Sequence, residues 1–125
     1  MRVAFTSSDG TYVDRHFGQV STFHLWEVGP DHALFVGQQA AIVTGEDEED
    51  RTTARATAVE GCSIVYTVQI GGPAAAKLVA RRIHPMKTKD VVPIAELVSK
   101  LQEVMRANPP PWMRKAMGLQ QTERA

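Results

Sequence analysis

The sequence predicts an α/β fold, a three-layer α/β/α sandwich around a mixed five-stranded sheet. Three observations predict it. Short β-rich runs come first, a Gly29-Pro30-Asp31 turn ties two of them into a hairpin, and from residue 46 onward helical and strand patterns alternate. The expected order is β-β-β-α-β-α-β-α.

Val3 to Ser7 is short and β-rich and reads as the first strand. Thr22-Phe23-His24-Leu25-Trp26-Glu27-Val28 alternates apolar with polar before the turn, and Ala33-Leu34-Phe35-Val36 after it reads as the antiparallel partner. Five acids, Glu46 to Asp50, then lead into Arg51–Glu60 and Gly61, which are helix start and stop signals that suit the helix dipole. Ser63 to Ile70 has the continuous apolar, β-branched character of a buried central strand. Gly71-Gly72 breaks it, and Pro73 suits the first helical position ahead of Ala75, Leu78, Val79 and Arg82. Ile83 to Thr88 reads as an edge strand, because Pro85 is tolerated there and not at a sheet's centre. In the last helix Ile94, Leu97, Val98, Leu101, Val104 and Met105 form one apolar stripe, and Asn108-Pro109-Pro110-Pro111 ends it. Three meander strands followed by two crossovers suggest the ribonuclease H-like architecture.

The 125 residues carry 14 Lys plus Arg against 14 Asp plus Glu, a formal net charge of zero. That length buries roughly two thirds of the unfolded surface, enough for one domain without staples. Residues 1–108 are the expected domain and 109–125 a Pro-rich C-terminal tail. Zero net charge argues against sequence-independent nucleic-acid binding, which rests on neutralising phosphates. The balance is uneven along the chain. Residues 1–60 are net −6 and residues 61–125 net +6, so the second half could attract an anion. One cysteine forms no intramolecular disulfide and fits a reducing cytoplasm. The N-terminus turns polar after three apolar residues, unlike a signal peptide, and no apolar run reaches the roughly 20 residues a membrane helix needs.

Chemistry is expected in two places. The link from Ser8 to Ser21 is longer than a hairpin requires and holds Ser7-Ser8-Asp9-Gly10 and Val13-Asp14-Arg15-His16-Phe17-Gly18. A neutral His16 could ligate a metal, with Asp14 or Asp9 orienting its ring; the alternative is a solvated surface histidine. Ile70-Gly71-Gly72-Pro73 sets bare backbone amides at a helix start, where an anion could sit, or is merely a tight turn. The topology puts both at one end of the parallel strands, where open α/β sheets bind ligands. Cys62 falls at the opposite end, before the fourth strand, and reads as a buried thiol, yet it is also the chain's single thiolate. His24, His32 and His84 lack ligand-spaced partners. No GxGxxG, Walker P-loop, HExxH or GxSxG occurs.

Val3-Ala4-Phe5-Thr6-Ser7-Ser8-Asp9-Gly10, Val13-Asp14-Arg15-His16-Phe17-Gly18, Glu60-Gly61-Cys62, Ile70-Gly71-Gly72-Pro73-Ala74-Ala75 and Asn108-Pro109-Pro110-Pro111-Trp112 resemble the dinitrogenase iron–molybdenum cofactor biosynthesis family, from residue 2 to about residue 117. The Pro-Pro-Pro-Trp segment resembles its NifX branch of nitrogenase cofactor carriers. The resemblance implies a non-enzymatic carrier of an iron–sulfur cluster precursor of the iron–molybdenum cofactor, or of the finished cofactor. Its implied partners are a scaffold, precursor-synthesis proteins and apo-dinitrogenase. The cofactor-holding role falls by motif match on His16, with Ser8, Asp14, Gly71 and Gly72 around it and Cys62 as a second candidate metal ligand. The family often carries another cysteine where this chain has Thr67. Such clusters are anionic, so Lys87 or Lys89 could assist. Pro109 to Ala125, with Trp112, Met113, Met117, Arg114 and Lys115, reads as an extended docking arm or as a frayed end. A metal-dependent hydrolase using Asp9, Asp14 and His16 is the alternative from another class, and a store for the same cofactor is a third.

Overall fold

A computed structural model describes residues 1–118. Along the chain run β1 (Arg2–Phe5), β2 (Tyr12–Val13), a 3-10 turn (Phe17–Gln19), β3 (Thr22–Val28), β4 (Ala33–Ala40), α1 (Glu48–Ala58), β5 (Ile64–Thr67), α2 (Gly72–Ala80), β6 (His84–Lys87), β7 (Val92–Pro93), α3 (Ile94–Ala107) and α4 (Pro111–Ala116). Five strands form one sheet in the order β4-β3-β1-β5-β6. β1, β5 and β6 run parallel, and β3 is antiparallel to both of its neighbours. The α/β class and the mixed five-stranded sheet stand as predicted.

Side-chain alternation along the central strands separates two cores. Val3, Phe5, Ile64 and Tyr66 pack with Ile94, Leu97, Val98, Leu101 and Met105 of α3. Ala4 and Val65 point the other way, into a cluster with Phe17, Phe23, Ala56, Val59 and Leu78 under α1 and α2. The sheet therefore lies between two helical layers. Phe5 and Tyr66 stack with ring centroids 5.5 Å apart, and burial pushes the Tyr66 hydroxyl up to about 12. Each fully buried apolar side chain stabilises the fold by about 1.5–3 kcal/mol, and five from α3 alone are buried. Asp47 caps α1 by accepting from the Asp50 amide at 2.8 Å, with Glu48, Glu49 and Asp50 in the first turn, as the acid run predicted.

Four features depart from the sequence reading. β4 continues to Ala40, because β3 offers it a partner from Thr22 to Val28. Tyr12–Val13 and Val92–Pro93 form a separate two-stranded ladder, too short for any periodic signal, and Pro93 consequently stands at the N-cap of α3, which begins at Ile94. The central strand expected to reach Ile70 stops at Thr67, since the Val68 amide turns to the Arg15 carbonyl at 3.1 Å. The Pro-rich segment is no extended arm through residue 118. It folds as α4, with Met113 4% exposed in the α3-side core and Trp112 stacked 3.8 Å from His84. Residues 119–125, the remainder of that expected arm, lie outside the described residues. Among the described residues no helix is long and apolar enough to cross a membrane.

Candidate functional site

The parallel strands β1, β5 and β6 end at one rim, and the 6–21 loop and the 68–72 turn leave from it. Two buried threonines hold the loop to the sheet there. The Thr6 hydroxyl donates to the Arg15 carbonyl at 2.8 Å. The Thr67 hydroxyl lies 3.1 Å from both the Arg15 and the Gln69 carbonyls and donates to one at a time. The Phe17 amide donates to the Gln69 carbonyl at 2.8 Å, so loop and turn are also joined through main chain. Phe17, 1% exposed, drives into the α1/α2-side core against Phe23 with centroids 5.6 Å apart. The anchor is apolar and backbone, and His16 beside it stays exposed.

The other loop carboxylates are occupied by the loop itself. Asp14 accepts from the Ser8 amide at 2.9 Å with one oxygen and from the Ser8 hydroxyl with the other. Asp9 accepts from the Thr11 and Tyr12 amides at 2.8 and 3.0 Å, and these backbone bonds hold its carboxyl below the usual range. Neither carboxylate is bonded to His16, which corrects the expectation that one would orient the ring. Ser7 takes the Gly10 amide at 2.8 Å. Gly10 has φ +79°, and a Cβ there would meet the His24 ring at 3.2 Å, so this turn requires glycine.

Gly71 and Gly72 present a different case. Gly71 has φ −76°, open to any residue, and as the N-cap of α2 its carbonyl accepts from the Ala75 amide at 3.0 Å. A Cβ on Gly71 would meet only Pro73 Cδ, at 4.0 Å, and one on Gly72 would meet nothing within 4 Å. Neither dihedral strain nor packing demands glycine here. What the missing side chains leave is open access to main-chain amides that have no helical partner, since they lie at the very start of α2 with no helical turn before them.

Two recesses flank the 15–19 segment. One of about 290 Å³ is polar and lined by Ser7, Ser8, Arg15, Gln19 and His24; the other, of about 280 Å³, is lined by Phe17, Gly18, Thr52, Arg55 and Gly71. Ser8, Asp14 and His16 lie in the loop, and Gly71 and Gly72 in the turn, that leave this rim; of these, Ser8 lines the first recess and Gly71 the second. Lys87, the last residue of β6, and Lys89 just beyond it line a neighbouring recess with Tyr66 and Thr88. Arg15, Gln19, His24 and the Thr6–Thr67 pair were not singled out as site residues from the sequence. Threonine at the end of a β-rich run reads as a strand former, and nothing local announces that its hydroxyl reaches a loop.

Cys62 is not part of this rim. It precedes the start of β5, whereas the His16 loop bonds to Val68 and Gln69 beyond its end. Six residues of extended chain separate the two ends by about 20 Å. The thiol is 5% exposed, and burial pushes it up to about 11, so at neutral pH it is protonated. The candidate metal pair His16 and Cys62 is therefore split in this conformation. Among the described residues no three His, Cys, Asp or Glu side chains group to hold a metal ion. With Asp9 and Asp14 consumed by local bonds, the hydrolase alternative has no support in the geometry.

The family model described as dinitrogenase iron-molybdenum cofactor matches residues 1–104. Protein NifX of Herbaspirillum seropedicae is 37% identical over 119 residues, covering 94% of this chain and 82% of that protein. Protein NifY of Azotobacter vinelandii is 36% identical over 124 residues, covering 99% of this chain, which spans 51% of the length of that relative. Among solved structures, the crystal structure of PH0822 is similar in fold, with a TM-score of 0.60 and 22% identity over 90% of this chain and 98% of that one.

Proposed function

The chain belongs to the dinitrogenase iron–molybdenum cofactor family, and from that premise we propose that it serves iron–molybdenum cofactor biosynthesis as a carrier. Its cargo is an iron–sulfur precursor of that cofactor, or the finished cofactor, held without catalysis and passed on. We read the β4-β3-β1-β5-β6 order as the ribonuclease H-like arrangement, with the cytoplasm as the working compartment.

The observation that carries the reading is one exposed imidazole on a rigidly tethered loop, flanked by two open recesses and by amides that no side chain covers. A cluster that arrives assembled brings its own bridging sulfides, so it needs one or two protein ligands and not four. His16 would supply the coordinate bond through a ring nitrogen. The Gly71–Gly72 amides and the Arg15 guanidinium would supply charge-assisted hydrogen bonds to the anionic cargo, each worth about 1.5–3 kcal/mol. Ser8 and Asp14 shape the loop and do not ligate. Few ligands favour release, which a carrier needs. Contact with a scaffold, with precursor-synthesis proteins and with apo-dinitrogenase falls, in this reading, to the rim and to the C-terminal segment, residues 109–125.

The test is anaerobic loading with isolated cofactor precursor, followed by gel filtration, iron analysis and EPR of the protein fraction. We expect iron and a cluster signal to co-elute with the protein, and His16→Ala to lose most of that iron while eluting unchanged. A colourless, iron-free protein fraction would sink the carrier reading; undiminished loading of His16→Ala would remove only His16. Activation of apo-dinitrogenase by loaded protein separates a carrier from a store.

A further inference from the structure

At the far end of the sheet from the cargo rim, the chain leaves α2 through an arginine in a strained position. The Arg82 amide donates to the Val79 carbonyl and the Ile83 amide to the Leu78 carbonyl, both at 2.9 Å, so Arg82 occupies the left-handed position after a helix that glycine normally takes. Its φ is +62°, and it is the one non-glycine residue with positive φ among the described residues. The neighbouring Arg81 explains itself: it pairs with Glu60 at 3.5 Å and donates to the Lys77 carbonyl at 3.1 Å. The Arg82 guanidinium has no ion pair or hydrogen bond among the described residues. A long cation kept where glycine would relieve strain, with nothing inside the fold to hold, points outward to a ligand.

The surroundings supply the rest of a site. Arg82 lines a recess of about 370 Å³ with Ser63, His84, Trp112, Lys115 and Ala116. Its walls come from three separate parts of the chain. Ser63 and His84 stand side by side at the starts of β5 and β6, where the His84 amide donates to the Ser63 carbonyl at 2.9 Å. Trp112 stacks on His84 with an interplanar angle of 27° and gives an aromatic wall, and Lys115 adds a second exposed cation without an ion pair among the described residues. Among the described residues no carboxylate lines the recess. Two unpaired cations, a serine hydroxyl and an aromatic surface within a small-molecule volume are the donor set for an oxyanion carried on a planar or apolar body.

We propose that this recess is a second binding site, independent of the cargo rim, for a small organic anion bearing a carboxylate or phosphate group. The guanidinium takes the oxyanion bidentately, Lys115 and Ser63 complete its shell, and Trp112 covers the remainder of the molecule. A β5 strand length lies between this site and His16, so occupancy of one does not require the other.

The experiment is a nitrogen-15 NMR titration of the full chain with citrate as the carboxylate probe and AMP as the phosphate probe. We expect one of them to give saturable shifts at Ser63, Arg82, His84, the Trp112 indole N–H and Lys115, with the residues around His16 unmoved. Arg82→Gly should bind that probe at least about tenfold more weakly while melting no lower than the parent, because glycine suits φ +62°. Lys115→Ala, on an exposed position, should weaken binding with no effect on folding. Saturation by citrate assigns the site to carboxylates and saturation by AMP to phosphates. Shifts that fail to saturate with either probe, shifts centred on the His16 loop, or affinity unchanged in both variants would overturn the proposal.

Discussion

The two ends of the central strands are built on opposite plans. At the proposed cargo rim, buried hydroxyls and main-chain bonds are spent on holding a loop, while the groups proposed to meet a cluster, His16 and the Gly71–Gly72 amides, stand uncovered. At the other end the chain's single thiol, Cys62, is sealed in the core and pushed up to about 11, and the exposed charged groups are the cations Arg82 and Lys115. If both proposals hold, metal chemistry and anion chemistry lie one strand length apart. The difference also shows that a thiol near a site in sequence is no guide to a ligand when the strand between them points it the other way.

The largest effect that could break this contrast concerns Cys62. A thiol held at about 11 carries little thiolate at pH 8, whereas an unfolded cysteine has a pKa of about 8.5. Alkylation by iodoacetamide at pH 8 should therefore run at least about a hundredfold slower in native than in denaturant-unfolded protein. Equal rates would mean that Cys62 opens to solvent and could reach cargo. Next comes the clamp. Thr67→Val removes one donor from the Arg15 and Gln69 carbonyls, which keep their other donors, and should cost about 0.5–1.5 kcal/mol in a urea melt. Faster hydrogen exchange at the Phe17 amide should accompany the loss, and unchanged exchange would show that the hydroxyl does not tether the loop. The smallest effect on stability belongs to Gly72→Ala. With nothing within 4 Å of the added methyl, stability should move by less than about 0.5 kcal/mol while cluster retention falls. A variant that loads like the parent would reduce the bare turn to a mere connection.

Much of this architecture was legible in residue patterns. The α3 stripe (except Val104, which stays 41% exposed), the acid run before α1, the Gly29-Pro30-Asp31 turn and the edge placement of Pro85 each state a local rule that the tertiary structure keeps. What escaped was set by contacts between distant segments. Tyr12–Val13 and Val92–Pro93 become strands only because each finds the other. Pro109-Pro110-Pro111 stops one helix, and burial of Met113 then decides that another begins. The site divided in the same way: topology alone put the long loop and the Gly-Gly turn at one rim, but the pairing of Ser8 with Asp14, which withdraws that carboxylate from His16, is a side-chain outcome that spacing does not encode.

Because Thr6, Thr67 and the Val68 amide all grip the Arg15 carbonyl, the mounting is indifferent to which side chain follows it. The donor atom can be exchanged as a lamp is exchanged in a fixed socket. Cysteine or methionine at position 16 would offer sulfur from the same spot, and the chain could be retuned toward a softer metal without refolding.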